Sequence, residues 1–359
     1  MNMPIESPVI HRHPNNPILR ATGELPWASA FVLNPGVVFD NRLFRMLFTA
    51  GNGDGALHLG YAESRDGIHF TPRPHPLLSP SANPDAFDFG TVDDPRITIL
   101  DNQRYIVYAA RSQNMNRYAS GDFRVGPHGE RWQTWRNNYR RIGLATISPD
   151  WTDCRRIGSL SSPHLCDANA LLFPEKVNGE YVYLHRPTAA IPWTLPMRYC
   201  PGAIWILFTK QVSHWASDRR EDPWNMVDKV DMPDDYLLLR PERSWESDKV
   251  GALGVPIVTD DGFLAFYHGV DRAGTYRVGL VLLDRADPRK VLCRTPFPIM
   301  EPETPLEKSG SYPNCIFPCA NVLVGDEIRL YYGAGDQCIC MAMASLRELM
   351  NHVKRFPVK

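Results

Sequence analysis

FRMLFTA (44–50), YIVYAAR (105–111), YVYLHRP (181–187), FLAFYHG (263–269) and IRLYYGA (328–334) are five versions of one strand, rich in the aromatic and branched residues that favour a pleated, buried surface. Each follows another apolar run and a tight-turn signal: DN at 40–41, DNQ at 101–103, NG at 178–179, DDG at 260–262 and GD at 325–326. Asn, Asp and Gly are the residues that tolerate the positive φ angles of such hairpins. A third strand comes after every pair, as LHLGYAES (57–64), IGLATIS (142–148), AIWILFT (203–209), RVGLVLLD (277–284) and ICMAMAS (339–345). The unit recurs every 60 to 80 residues or so, which is within reach of a four-stranded blade carrying insertions. The expected fold is therefore all-β, a five-bladed β-propeller. A chain of 359 residues with 43% hydrophobic content would by length suggest two domains, but the repeats favour one domain over residues 1–359. Blade repeats occupy about 34–344, after an N-terminal arm at 1–30. Leu346, Leu349, Met350 and Val353 sit at helical spacing and predict a short C-terminal helix at 345–356.

This arrangement directs attention to one rim. In a hairpin the start of the first strand and the end of the second lie at the same edge. The residues that fall there are Asn34, Asp93, Asp94, Arg96, Asp167 and Asn314 at strand starts, with Arg111, His185, Arg186, His268 and Asp336 at or beyond strand ends. A single charged rim would read as solvated loop; polar residues in every blade read as a site.

Charge excludes several partners. With 39 basic and 40 acidic residues the net charge is −1, so no long-range field favours nucleic acid or an anionic membrane. The basic, aromatic stretch RWQTWRNNYRR (131–141) is too short to argue otherwise, and reads as a loop lining a pocket or an interface. No stretch reaches the length of a membrane span, and the N-terminus lacks the pattern of a secretory leader, so a cytoplasmic protein is expected. The eight cysteines are irregularly spaced and read as reduced thiols; no metal site is expected from them. Two insertions, 112–140 and 187–245 around the third strand of blade three, are long enough to carry function. The first, with Trp132 and Trp135, is expected to cover the rim of its own pocket or a neighbouring subunit's.

Several segments in order, VDDPRI (92–97), DANALLFPEKVNGEYVYLHRP (167–187), WESDKVG (245–251), FLAFYHGV (263–270), VGLVLLDRADPRKVLCRT (278–295) and YYGAGD (331–336), resemble glycoside hydrolase family 130. The resemblance runs from about Asn34 to Asp336. It implies a five-bladed propeller that acts as an inverting β-mannoside phosphorylase or, in a smaller group, a β-mannosidase. It implies no metal or organic cofactor, inorganic phosphate as co-substrate, a β-mannoside oligosaccharide as substrate, and a tendency to form homo-oligomers.

An acid that protonates a glycosidic oxygen must lie close to the sugar, and Asp94 stands where an inner strand meets the rim, followed by Pro95, whose ring limits the backbone. In the family motif, usually EDPR, the Asp before Pro is the general acid, thought to act through the 3-hydroxyl of the mannosyl residue; the resemblance carries that role to Asp94. Asp93 stands where relatives have Glu, one methylene longer. Phosphate needs cations whereas a water-activating base is a carboxylate, and the rim offers Arg111, Arg141, Lys176, His185 and Arg186. By resemblance Lys176 and His185 are the best-matched phosphate ligands, followed by Arg111 and Arg141. Asn34, Asp93, Arg96, Asp167, Asp271, Asp336 and His268 are candidates for binding sugar hydroxyls, and Tyr267, Tyr331, Trp132, Trp135 or Trp193 for stacking on a pyranose ring. If water were the nucleophile, Glu246 or Glu175 would be the candidate base. A non-catalytic carbohydrate-binding propeller would be expected to lack the acid or the cations. Arabinanase-like propellers rely on a carboxylate triad whose local patterns do not occur here.

Overall fold

The aromatic and branched runs pair as antiparallel strands because each hairpin turn adopts the left-handed geometry its sequence permits: Asn41 and Arg42, Asp101 and Asn102, and Asn178 and Gly179 all have φ between 51° and 82°. A computed structural model describes residues 10–116, 123–125, 131–133, 140–160, 165–190, 202–212 and 236–358. Blade one comprises Phe31–Asp40, Leu43–Gly51, His58–Ser64 and Thr71–Pro72. Blade two comprises Thr91–Leu100, Gln103–Arg111, Arg141–Ile147 and Cys154–Ser159. Blade three comprises Leu165–Leu172, Tyr181–Ala190, Ile204–Thr209 and Leu237–Leu239. In blade four the inner strand is split into Lys249–Ala252 and Ile257–Thr259, followed by Gly262–Val270, Tyr276–Leu283 and Val291–Arg294.

Blade five closes the ring. Its inner three strands are Ile316–Val324, Glu327–Ala334 and Cys338–Ser345, but its outer strand comes from the chain start: His11–Arg12 and Leu19–Arg20 both pair with Cys338–Ser345. The stretch expected to be an arm thus contributes to the last blade. Arg12 fastens it, its Nε donating to buried Glu307 Oε1 at 2.7 Å. The helix Leu346–Val353 follows directly, with Ser345 Oγ accepting from Glu348 N as N-cap and Leu349, Met350 and Val353 buried.

Both faces of a blade are buried against its neighbours, which explains why the strands read as continuous apolar runs rather than as clean alternation. Along Leu43–Gly51, Phe44, Met46 and Phe48 pack with Tyr331 and Met341 of blade five, while Leu47 packs with Ile106 and Tyr108 of blade two. The same division recurs between blades two and three, three and four, and four and five. The insertion after blade two's second strand contains a small hairpin, Phe123–Val125 with Arg131–Gln133, and residues 112–116 and 140 at its two ends are also described; its remaining residues, including Trp135, and Trp193 of the other insertion lie outside the described residues.

Candidate active site at the propeller axis

The inner strands break their ladders at a common depth. In blade one, Asn34 and Pro35 together oppose Phe48; in blade two, Asp94 and Pro95 oppose Tyr108; in blade three, Asn169 and Ala170 oppose His185. Each is a bulge led by a residue in the left-handed region, with φ of 48°, 52° and 53° for Asn34, Asp94 and Asn169. Asn and Asp are the side chains that accept this conformation at least cost, and a bulge re-aims the residue that starts it. Cys319 is the extra residue in blade five, and blade four's inner strand is interrupted over residues 253–256.

Asp94 is the most firmly held of these. Its backbone N donates to Thr49 Oγ1 at 2.9 Å, its backbone O accepts from Arg96 Nη1 at 2.7 Å, and its carboxylate Oδ1 accepts from Asn34 Nδ2 at 2.7 Å. Gly36 allows the two bulges to meet, since a Cβ there would lie 2.7 Å from Pro95 O. The Asp94 carboxylate therefore faces the channel in a single orientation before any substrate arrives.

It lines an axial pocket of about 360 Å³. Asn34, Thr49, Asp93, Asp94 and Asp336 provide acceptors, and Arg111, Arg140 and Arg186 provide guanidinium groups. Phe31, Leu33, Leu57, Met115, Tyr276, Tyr312 and Phe317 supply apolar walls, with Tyr276 and Tyr312 edge to face at 5.3 Å. Crowding the acids raises their proton affinity. Burial, then the neighbouring Asp94, pushes Asp93 above the usual carboxylate range, while Arg140 and Arg111 pull against it. Burial and Asp94 likewise push Asp336 up to about 6. The arrangement sets carboxyl groups, two of them with raised proton affinity, beside guanidinium cations, the two kinds of group needed to cleave an acetal with an anionic nucleophile.

Of the residues expected from sequence, Asn34, Asp93, Asp94, Arg111, Arg186 and Asp336 line this pocket. Others do not. Lys176 follows the far end of blade three's inner strand, so it lies at the opposite rim, where its Nζ pairs with Asp101 Oδ2 at 2.6 Å and lies 4.4 Å from the Tyr181 ring. Arg141 gives way to Arg140 as the lining residue, because neighbouring side chains point to opposite faces as the chain enters the strand. Tyr267 and Tyr331 are core residues: Tyr267 packs at a tilt against Trp245, ring centroids 5.7 Å apart, and accepts from Arg294 Nε at 3.2 Å, while Tyr331 Oη donates to Gly67 O at 2.9 Å. Asp271 spends its carboxylate on Arg277, at 2.7 Å, and on the backbone of its own turn.

Four more lie outside the pocket's lining. Asp167 Oδ2 and His185 Nδ1 are 2.8 Å apart, facing a separate small cavity with Leu160 and Tyr183. Arg96 is 1% exposed and holds the backbone carbonyls of Asp94 and Leu253. His268 is fully buried and bonds Arg186. The sequence reading missed Arg140, Asn169, Tyr276 and Tyr312. Asn169 was within its reach, since an Asn or Asp recurs at the same depth in NPG, DPR and NAL.

The two carboxylates proposed as water-activating bases are also placed. Glu246 is fully buried, its Oε1 accepting from Arg243 N and its Oε2 from Arg294 Nη2 at 2.9 Å. Glu175 pairs with Arg285 at 2.7 Å. Neither lines the axial pocket. Among the described residues no group of three or more His, Cys, Asp or Glu is placed to hold a metal ion, and no helix is long and apolar enough to cross a membrane.

A five-bladed propeller whose axial pocket sets buried carboxylates beside arginines belongs with the sugar-processing propeller enzymes. More closely, the chain belongs to glycoside hydrolase family 130: the family model described as beta-1,4-mannooligosaccharide phosphorylase matches residues 9–355. It is 34% identical to a 1,2-beta-oligomannan phosphorylase of Thermoanaerobacter sp. (strain X514), covering 95% of this chain and 98% of that protein. A beta-1,2-mannobiose phosphorylase of the same strain is 31% identical, with 92% and 95% coverage. Among solved structures, beta-1,2-mannobiose phosphorylase from Listeria innocua, in complex with beta-1,2-mannobiose, superposes with a TM-score of 0.73 at 22% identity, covering 96% of this chain and 99% of that one.

Proposed function

We propose that this protein is an inverting β-mannoside phosphorylase that cleaves a β-1,2-linked mannoside with inorganic phosphate, releasing α-D-mannose 1-phosphate and the shortened acceptor. The observation that carries the reading is the presence of Arg111, Arg140 and Arg186 in the same pocket as Asp94, while the candidate hydrolytic bases Glu246 and Glu175 are committed to ion pairs elsewhere. Phosphate is a polyanion, and guanidinium forks are the groups best suited to hold it against the face of the sugar remote from the leaving group. A phosphate oxygen forms the new bond to the anomeric carbon as the bond to the leaving oxygen breaks. Asp94 supplies the proton that the leaving oxygen takes up, through the neighbouring sugar hydroxyl. Both relatives above 30% identity are named for β-1,2 linkages, which supports that linkage here.

Phosphate serves as co-substrate, and the reaction so written needs no metal or organic cofactor. We place it in the cytoplasm, where a sugar phosphate retains the energy of the broken bond for metabolism. The test is product analysis of β-1,2-mannobiose incubated with and without phosphate. Phosphate-dependent formation of mannose 1-phosphate is the expected result. Equal rates in both buffers, with mannose as the only product, would replace phosphorolysis by hydrolysis.

A further inference from the structure

We infer that His268 is the positioning residue of Arg186, holding that guanidinium toward the pocket through an uncharged acceptor. The inference rests on the phosphorolysis reading for its kinetic consequence but not for its chemistry. His268 lies on Gly262–Val270, directly opposite Gly251 in register, and is fully buried. Its Nε2 is 2.9 Å from Arg186 Nη1. A guanidinium can only donate, so Nε2 must accept and the ring proton must reside on Nδ1. That Nδ1 has no hydrogen-bond partner among the described residues.

The surroundings keep the ring neutral. Burial, followed by the charges of Arg186, Lys249 and Arg96, pushes its proton affinity well below that of an ordinary histidine. The ring is flanked by Tyr276 at 5.3 Å and Phe317 at 5.1 Å, both of which line the pocket, so it sits behind the wall and is not itself a sugar ligand. Gly251 provides the space: a Cβ there would lie 2.3 Å from His268 Cε1 and 2.9 Å from Arg186 Nη1.

The chemical sense is that a carboxylate in this position would fix Arg186 equally well but cancel the charge that phosphate must meet. A neutral imidazole fixes the direction of the fork and leaves the charge in place.

The experiment measures kcat and the separate KM values for phosphate and β-1,2-mannobiose, with Tm as a check of folding, for H268F, H268Q, G251A, R186A and the H268F/R186A double variant. Loss of a hydrogen bond to a charged group should raise the phosphate KM of H268F about tenfold or more. The mannobiose KM should stay nearly unchanged. H268Q, which keeps an acceptor, should recover most of the loss, and G251A should reproduce it from the other side. In the R186A background H268F should add nothing further. A phosphate KM for H268F equal to wild type, or an undiminished effect in the R186A background, would overturn the assignment. If wild type proves indifferent to phosphate, the function proposed above fails instead. The positioning is then read from the His268 ring ¹⁵N shifts, which should report Nδ1–H in wild type and change in R186A; an Nε2–H or doubly protonated ring would refute it.

Discussion

Replacing Asp94 by Asn separates chemistry from architecture at the axis. The bulge survives the change, because Asn accepts a φ of 52° at least as readily as Asp. The backbone bonds to Thr49 Oγ1 and from Arg96 Nη1 do not involve the side chain, and the new carboxamide oxygen can still accept from Asn34 Nδ2. What disappears is a transferable proton. General acid catalysis contributes on the order of 10²- to 10⁴-fold, so kcat for mannobiose should fall by at least about 10²-fold, equivalent to about 2.7 kcal/mol of barrier. Tm should hold or rise, since removing one negative charge relieves the repulsion that raises Asp93 and Asp336. The assay is steady-state release of mannose 1-phosphate, run beside an aryl β-mannoside whose leaving group needs little protonation. With that substrate the deficit should shrink. A variant retaining more than a tenth of wild-type kcat on mannobiose would remove Asp94 from the acid role, and an equal deficit on both substrates would show that the substitution acts through geometry.

K176A should leave the phosphate KM within about twofold of wild type, whereas R140A should raise it about tenfold or more by removing a charge-assisted bond, as phosphate-titrated initial rates will show. E246Q should lower unfolding free energy by about 3 kcal/mol in denaturant titration, because it leaves buried Arg294 with only the exposed Glu242 as a charge partner, yet spare kcat; a stable but inactive variant would restore Glu246 as a base. Asp336 titrates at about 6 when folded and near 3.9 when unfolded, so the folded state holds the extra proton between those values. Its contribution is accordingly most favourable below pH of about 4 and is lost as pH rises toward about 6; wild type should lose stability relative to D336N across that window.

Much of this was legible in the sequence, for identifiable reasons. Hairpin turns and paired apolar runs fixed the blades, and the rule that strand starts and hairpin returns share an edge brought Asn34, Asp94, Arg111, Arg186 and Asp336 to one mouth. The same rule excludes Lys176, which comes after the end of an inner strand; resemblance of the FPEK segment had drawn it into the site. The choice between Arg140 and Arg141 could not be read, because a long insertion hides the register in which the chain re-enters its blade and a one-residue slip exchanges faces. Tyr267 and His268 illustrate a different limit. Both faces of the strand are buried, so alternation separates core from site only when the neighbouring blades are known.

The pocket is built from interruptions of an otherwise regular sheet. A perfect inner ladder would spend its backbone groups on pairing and send alternate side chains into the two neighbouring blades, leaving nothing aimed along the axis. Three bulges, one extra residue in blade five and one broken strand in blade four change that at a single level of the channel. Each left-handed residue costs of order 1 kcal/mol, and a proline after two of them limits the backbone's alternatives. The strain is tolerated because adjacent blades hold it: Thr49 of blade one binds the Asp94 amide, and Asn34 of blade one binds its carboxylate. Blade order and acid placement are therefore coupled. A substitution at Gly36, which touches no ligand but bears on Pro95, should disturb the acid as surely as a change in the pocket itself.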